Sequence, residues 1–460
     1  MARRPGEARP PVTPRDPVAA FIEASVWHGG IERAEAILAS HPEVASSGIH
    51  AAAILGDDVA VREFLRTDPA NATATGGPRG WDALTHLCFS RFLRTDRTRS
   101  DGFVRAAEAL LDAGASARTG FHDPDHQPAP SFESALYGAA GVAHHTGVTR
   151  LLVAHGADVN DDEVVYHAPE TWDNEAVKVL VESGRMTADS MAIMLVRKHD
   201  WHDADGVSWL LGKGADPNRV TRWGRTALQH AVLRDNSVAV VETLLEHRAD
   251  PALAAGGRPA VVMAAWRGRD DLLALFSARS IAAETDGADA LVAACARHDR
   301  QAVATLAARD PRHVRDVIAG GGKLLAEFAG NDNAGGVECL IDLGVDVAAR
   351  FEEGDGYWDV APGSTALHVA AWRARHRTVE RLIARGAPVN VTDGKGRTPL
   401  ALAVRACVDS YWTRLRSPES VAALLGAGAS IDGIKLPSGY PEVDALVAAR
   451  GRSSGTPHAD

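Results

Sequence analysis

One short segment returns along this chain and dictates a fold built by repetition. Leu151-Leu152-Val153-Ala154-His155-Gly156-Ala157-Asp158 is matched by Leu210-Leu211-Gly212-Lys213-Gly214-Ala215-Asp216 and by Leu382-Ile383-Ala384-Arg385-Gly386-Ala387, with weaker copies at 110–115, 244–250, 340–346 and 424–430. Each reads as a helix ending: an apolar pair for one buried face, then Gly where the chain turns left-handed, which only Gly does cheaply. The Asp or Asn that follows suits a turn. A second element opens the next unit, in Gly224-Arg225-Thr226-Ala227-Leu228, Gly363-Ser364-Thr365-Ala366-Leu367 and Gly396-Arg397-Thr398-Pro399-Leu400. Thr can cap a helix N-terminus through its hydroxyl, and Pro399 falls at the first helical position, where a missing N–H costs nothing. A chain of 460 residues exceeds one ordinary core, and tandem copying of one helical unit accounts for its size. Hydrophobic residues make up 45% of it but aromatics only 5%, so the interior is built mainly from Ala, Leu and Val, which let short helices pack closely.

The resulting order of turn, helix, loop, helix and Gly resembles the ankyrin repeat, a pattern of about 33 residues with a T-P-L-H-x-A start. Thr365-Ala366-Leu367-His368-Val369-Ala370-Ala371 fits that start except for Ala in place of Pro, and Ser47-Gly48-Ile49-His50-Ala51-Ala52-Ala53 is a looser version. The resemblance implies an all-α, curved ankyrin-repeat solenoid of roughly twelve helix-turn-helix units between about residues 18 and 450. Some units are long, and that around 164–184 lacks the Thr-led start. At His41-Pro42, Asp68-Pro69 and Asp310-Pro311 a proline, instead of Gly, stops the second helix. The third of these follows the polar stretch 282–289, so either one kinked array or two arrays, at 18–280 and 286–450, fits. Residues 1–17 and 451–460 read as disordered tails; the first is rich in Arg and Pro and lacks the apolar core of a signal peptide.

The resemblance implies a protein-interaction scaffold or regulatory module that uses a groove and turn fingers, without catalysis or cofactor. A formal net charge of −11 and a pI near 5.9 argue against a nucleic-acid surface, which needs clustered Lys and Arg, and point less strongly to a basic or neutral protein partner. No stretch approaches the roughly 18 apolar residues of a membrane span. Cys88, Cys295, Cys339 and Cys407 form neither a CxxC pair nor a Cys/His cluster, which places reduced core cysteines in a cytoplasmic protein.

Candidate contact residues recur just after the small-residue core of the first helix: Trp27, the pair Trp266-Arg267 and the pair Trp372-Arg373. In ankyrin repeats this position faces the groove, and exposed Trp and Arg dominate interface energetics. Each Trp either does this or fills space against the adjacent repeat. Trp81 and Trp223 precede the caps of their units, near the fingers. The longest finger, 351–359, sets Tyr357 and Trp358 among four acids; it either clasps a basic peptide through ring faces or folds back onto the array. The insertions 407–414 and 91–101 read as surface loops.

Enzyme motifs fail. Gly320-Gly321-Gly322-Lys323 is followed by Leu324, not Ser or Thr, and Val317 stands where a phosphate loop needs its first Gly. No GxSxG or HExxH occurs. The alternative from another class is a metal-dependent hydrolase site in which His122 and His126, of His122-Asp123-Pro124-Asp125-His126, meet His144 and His145; His199 and His202 are a weaker set. These spacings permit a zinc site without requiring one.

Overall fold

The computed structural model describes residues 16–282 and 285–454; residues 1–15 and 455–460, within the segments expected as tails, lie outside that range. A helix already begins at Pro17, and the last one runs to Ser454.

The chain divides into two compact units, Met1–Ala227 and Leu228–Asp460, each a stack of helix pairs. In the first the pairs are Pro17–Ser25 with Ile31–Ser40, Ile49–Leu55 with Asp58–Thr67, Ala83–Cys88 with Ser100–Asp112, Ala135–Tyr137 with Thr146–Ala154, Asp162–His167 with Glu175–Glu182, and Ala188–Asp200 with Ala204–Gly212. The second continues from Ala227–Leu233 with Val238–Glu246 through Ala260–Trp266 with Asp270–Ala278, Gly287–Ala296 with Arg300–Arg309, Gly321–Gly330 with Ala334–Leu343, Ala366–Trp372 with His376–Ala384, and Pro399–Val408 with Glu419–Gly426; Pro441–Ser454 follows the last pair. In most pairs first helices stack on first helices, as Ala366–Trp372 does between Gly321–Gly330 and Pro399–Val408, and second on second, as Ser100–Asp112 does between Asp58–Thr67 and Thr146–Ala154; Gly287–Ala296 instead packs on Ala260–Trp266 and on the second helix Ala334–Leu343.

The two helix types bury different fractions of their surface. Every residue of Ala366–Trp372 is buried, and its alanines permit neighbours on both sides to approach closely. His376–Ala384 buries only Thr378, Val379 and Leu382, a single stripe with polar residues opposite. The expected caps are present: Thr398 accepts from Ala401 N–H, and Thr365 and His368 form a reciprocal capping box. Where proline follows, the second helices stop at Ser40, Thr67 and Arg309, and Pro42, Pro69 and Pro311 each open a further short helix. The Gly320-Gly321-Gly322 run starts the helix Gly321–Gly330 as a packing device, since a Cβ on Gly322 would lie 2.0 Å from the Arg350 carbonyl oxygen.

A second left-handed position, which no sequence motif marks, joins the two helices of most pairs. Gly56 and Gly268 occupy it, but so do His144, His202, Asp235, His298, Asp332 and Ala374, with φ between 49° and 66°. Short polar side chains tolerate this region best, which explains the run of Asp and His.

Two short hairpins stand out among the turns. Strands β1 (Gly120–Asp123) and β2 (Ser131–Ser134) pair antiparallel with Phe121 opposite Glu133, and β3 (Arg350–Phe351) pairs with β4 (Ser364–Thr365). The insertion 91–101 contains the helix Arg91–Thr95 and a 3-10 turn, Arg97–Arg99. All four cysteines are buried with free thiols, and burial pushes the Cys295 thiol up to about 12.

Candidate partner-binding surface

The Arg of each Trp-Arg pair points inward. Arg267 and Arg373 are 6% and 3% exposed, which corrects the expectation that they stand free at a groove. Arg267 donates from Nε and Nη2 to the two carboxylate oxygens of Asp235, 2.8 Å each, and Arg373 Nη1 adds a third bond of 2.9 Å. Asn331 Nδ2 donates to the same carboxylate at 3.1 Å, and Arg267 Nη1 reaches Glu327 at 3.1 Å. Burial alone would raise the Asp235 carboxyl, but the two guanidiniums outweigh it and hold it well below the usual range. Glu327 is held up by its burial, which Arg267 offsets only in part. Asp235, Arg267, Asn331 and Arg373 come from four different helix pairs, so these charges are consumed in joining repeats.

The Trp of the later pair is likewise core. Trp372 is 2% exposed, donates from Nε1 to the Trp358 carbonyl at 2.7 Å, and meets the edge of Trp412 at 5.5 Å. The finger 351–359 therefore folds back: Trp358 covers the Arg373 guanidinium at 4.1 Å and stacks on Trp412 at 5.7 Å, while Tyr357 lies under Arg234 at 3.9 Å. Trp412, in an insertion expected to be an ordinary surface loop, completes this cluster. Asp359 binds Lys395 and Arg405 at 2.6 and 2.5 Å; burial opposes its ionisation, but these cations bring the carboxyl to about 2. The cavity between finger and helices, lined by Glu327, Asp355, Trp358 and Arg373, has a volume of about 10 Å³, room for one water at most. Glu352 and Glu353 remain exposed at the tip.

Trp81, expected near the fingers, is 6% exposed and stacks on Phe121 of β1 at 4.1 Å. Trp27 takes the left-handed turn position and sits half-buried, edge-on to Phe89, Phe121 and Tyr137. Trp266 is half-buried, donating to Asp289 at 2.6 Å beneath Arg258. The aromatics fill the space that small neighbours leave, a steric demand met by packing.

Trp223 differs. It is 37% exposed in the turn between Ala204–Gly212 and Ala227–Leu233, beside Val220 at 47%. Arg222 lies 5.1 Å from its ring and pairs with Asp162 at 3.0 Å; Tyr166 stands 5.9 Å away, with Arg197 over its own face at 3.9 Å. Tyr166 carries no sequence signal because its helix opens without the Thr signature, being capped instead by Asp161, which accepts from the Glu163 and Val164 N–H groups. Trp172, 67% exposed on Trp201, lies outside any periodic context, and Tyr411, 89% exposed, stands on the insertion 407–414 expected as a surface loop.

His122 is exposed on β1, His144 is partly buried at an interhelical turn, and His145 caps Thr146–Ala154 while bonding Ser100 at 2.8 Å. They do not converge. Among the described residues the set whose ligand atoms come together is His126, Glu133 and Glu163, which shares only His126 with the expected hydrolase site.

Comparison with known families agrees with this architecture. A model described as ankyrin repeats in three copies matches residues 163–255 and 193–282, and a single ankyrin repeat matches 362–394. The chain carries ankyrin repeats over residues 163–282 and 362–394, within an all-α repeat fold. No curated protein matches it. Ankyrin repeats are general protein–protein interaction modules, typically non-enzymatic. No described helix is long and apolar enough to cross a membrane.

Proposed function

We propose that this chain is a cytoplasmic interaction scaffold or regulatory subunit whose first unit grips a protein partner with the finger of Trp223 and the neighbouring Tyr166. The observation that carries this reading is exposure: of the nine residues expected at the contact, Trp223 keeps more than a third of its surface open. Val220 in the same turn widens the apolar face, and Arg222 and Asp162 rim it with charge. An aromatic anchor with an Arg beside it and a polar border has the composition of an interface hot spot. The chain's net charge of −11 favours a basic partner through steering of the encounter.

A photo-crosslinking amino acid at position 223, compared with one at exposed Glu182 on a second helix, tests it in extracts of the source cells. The expected result is an adduct specific to position 223, whose protein then binds purified chain directly and binds Trp223→Ala at least about tenfold more weakly, as for a hot spot of about 1.4 kcal/mol or more. Equal affinity for wild type and variant would remove this surface from consideration.

A further inference from the structure

We propose that His126, Glu133 and Glu163 form a binding site for a divalent transition-metal ion of the zinc type, fastening the β1–β2 finger to the helix Asp162–His167. The fold brings these residues together from three places. Glu133 lies on β2 opposite Phe121, His126 on the loop joining the strands, and Glu163 in the first turn of the next repeat's first helix. One ligand atom from each lies within 4.8 Å of the others. At bond lengths of about 2.1 Å, tetrahedral ligands stand about 3.4 Å apart, so binding requires a contraction of about an ångström, which the hairpin loop can supply.

Glu133 is the observation that asks for a cation. Its side chain is 0% exposed, and neither carboxylate oxygen has a hydrogen bond of good geometry, although the Ser131 hydroxyl lies close by. The nearest groups are the His126 ring, 3.2 Å from Oε1, and Ser131. Glu163 faces the same space, 3.7 Å from His126 Nε2. Glu163 also has His167 at 3.3 Å, but Glu133 has only the His126 ring as a countercharge, and a buried carboxylate so poorly compensated is costly. A doubly charged ion supplies the countercharge that Glu133 lacks. One nitrogen with two oxygens suits zinc or a neighbouring transition ion better than Mg²⁺ or Ca²⁺, which take oxygen alone. His167 stands behind the site, 3.3 Å from Glu163 Oε2 and 2.9 Å from Glu170. It orients Glu163 from the outer shell, as partners of metal-ligating carboxylates do.

The test uses the full chain, untagged and chelator-treated, in equilibrium dialysis against Zn²⁺, with Co²⁺ as a spectroscopic substitute. One ion per chain is expected, with a rise in Tm on loading and a Co²⁺ visible spectrum that reports nitrogen and oxygen ligands. Glu133→Gln and His126→Ala each abolish both, while His167→Ala weakens binding by about tenfold or more. Circular dichroism checks that Glu133→Gln folds; His126, in a partly exposed loop, decides alone if it does not. No bound ion, or an ion retained undiminished by His126→Ala and held by others of the chain's 19 histidines, overturns the proposal.

Discussion

Arg267 closes on Asp235 through two parallel bonds of 2.8 Å, both partners buried and 32 residues apart in the chain. Each belongs to the turn between the helices of its own pair, so the bond joins adjacent repeats. Removing one member of such a buried set leaves the others unpaired, which costs about 3–5 kcal/mol. Asp235→Asn is therefore expected to destabilise the second unit by that order, read from urea unfolding followed by tryptophan fluorescence. An unchanged midpoint would mean the two guanidiniums find water or other acceptors. The carboxyl, lying below its unfolded value near 3.9, contributes fully above pH 4 and loses its contribution as pH falls through the folded value; the variant lacks that low-pH limb.

Two histidines set a milder pH dependence. Burial pushes His86 and His368 down to about 4, the backbone carbonyls around each compensating only in part. His368 accepts from the Thr365 N–H at Nδ1, and its Nε2 lies 3.1 Å from the Val391 and Arg397 carbonyls, a neutral ring bridging to the next finger. Protons bind the unfolded ring first, so stability is whole above pH 6.5 and declines as pH falls toward 4, by about 3 kcal/mol for each ring at the limit. His368→Gln is expected to flatten the profile of Tm against pH between 6.5 and 4. A variant as steep as wild type would contradict the assignment.

Core and surface tryptophans separate in their cost. Trp81→Ala removes a side chain stacked on Phe121, and a buried Trp→Ala change costs about 3–5 kcal/mol. Trp223→Ala, partly in solvent, is expected to cost less than about 1 kcal/mol. Thermal melts of the two variants side by side give the comparison, and similar losses would mean that Trp223 is core as well.

Ser280 occupies a left-handed C′ position, φ 58°, after the helix Asp270–Ala278. Gly114, Gly156 and Gly214 hold that place in other units, while Arg248 does so after Val238–Glu246. Ser280→Gly relieves a strain of about 1–2 kcal/mol, offset by the extra freedom Gly has in the unfolded chain, for a net gain of about 0.5–1 kcal/mol. A differential scan that shows no rise in Tm would place the strain elsewhere.

What could be read from the sequence was what neighbours in sequence decide. Thr398 with Pro399, the Gly156 and Gly386 terminators and the Pro69 and Pro311 stops act over a few residues, and all appear in the fold. Arg373 was misread because its partner, Asp235, lies 138 residues away, a distance no local pattern spans. Trp412 reads as a loop residue because nothing near it signals the packing of Trp358 and Trp372 around it. Tyr166 went unseen where Asp161 replaced the usual threonine. The convergence of His126 with Glu133 and Glu163 needed the hairpin register and the next repeat's first turn together, and neither is written in spacing.

In a linear stack each repeat touches only the next, so such arrays fray one unit at a time from their ends. The bond of Arg373 to Asp235 breaks that rule, because it ties the turn after Ala227–Leu233 to the turn after Ala366–Trp372 over the pairs between them. No intervening pair can melt far without straining this tie. The stretch from 235 to 373 then behaves in hydrogen exchange as one cooperative block within an otherwise peelable chain, and a pulling force has to rupture the charge cluster before any of those repeats unwinds.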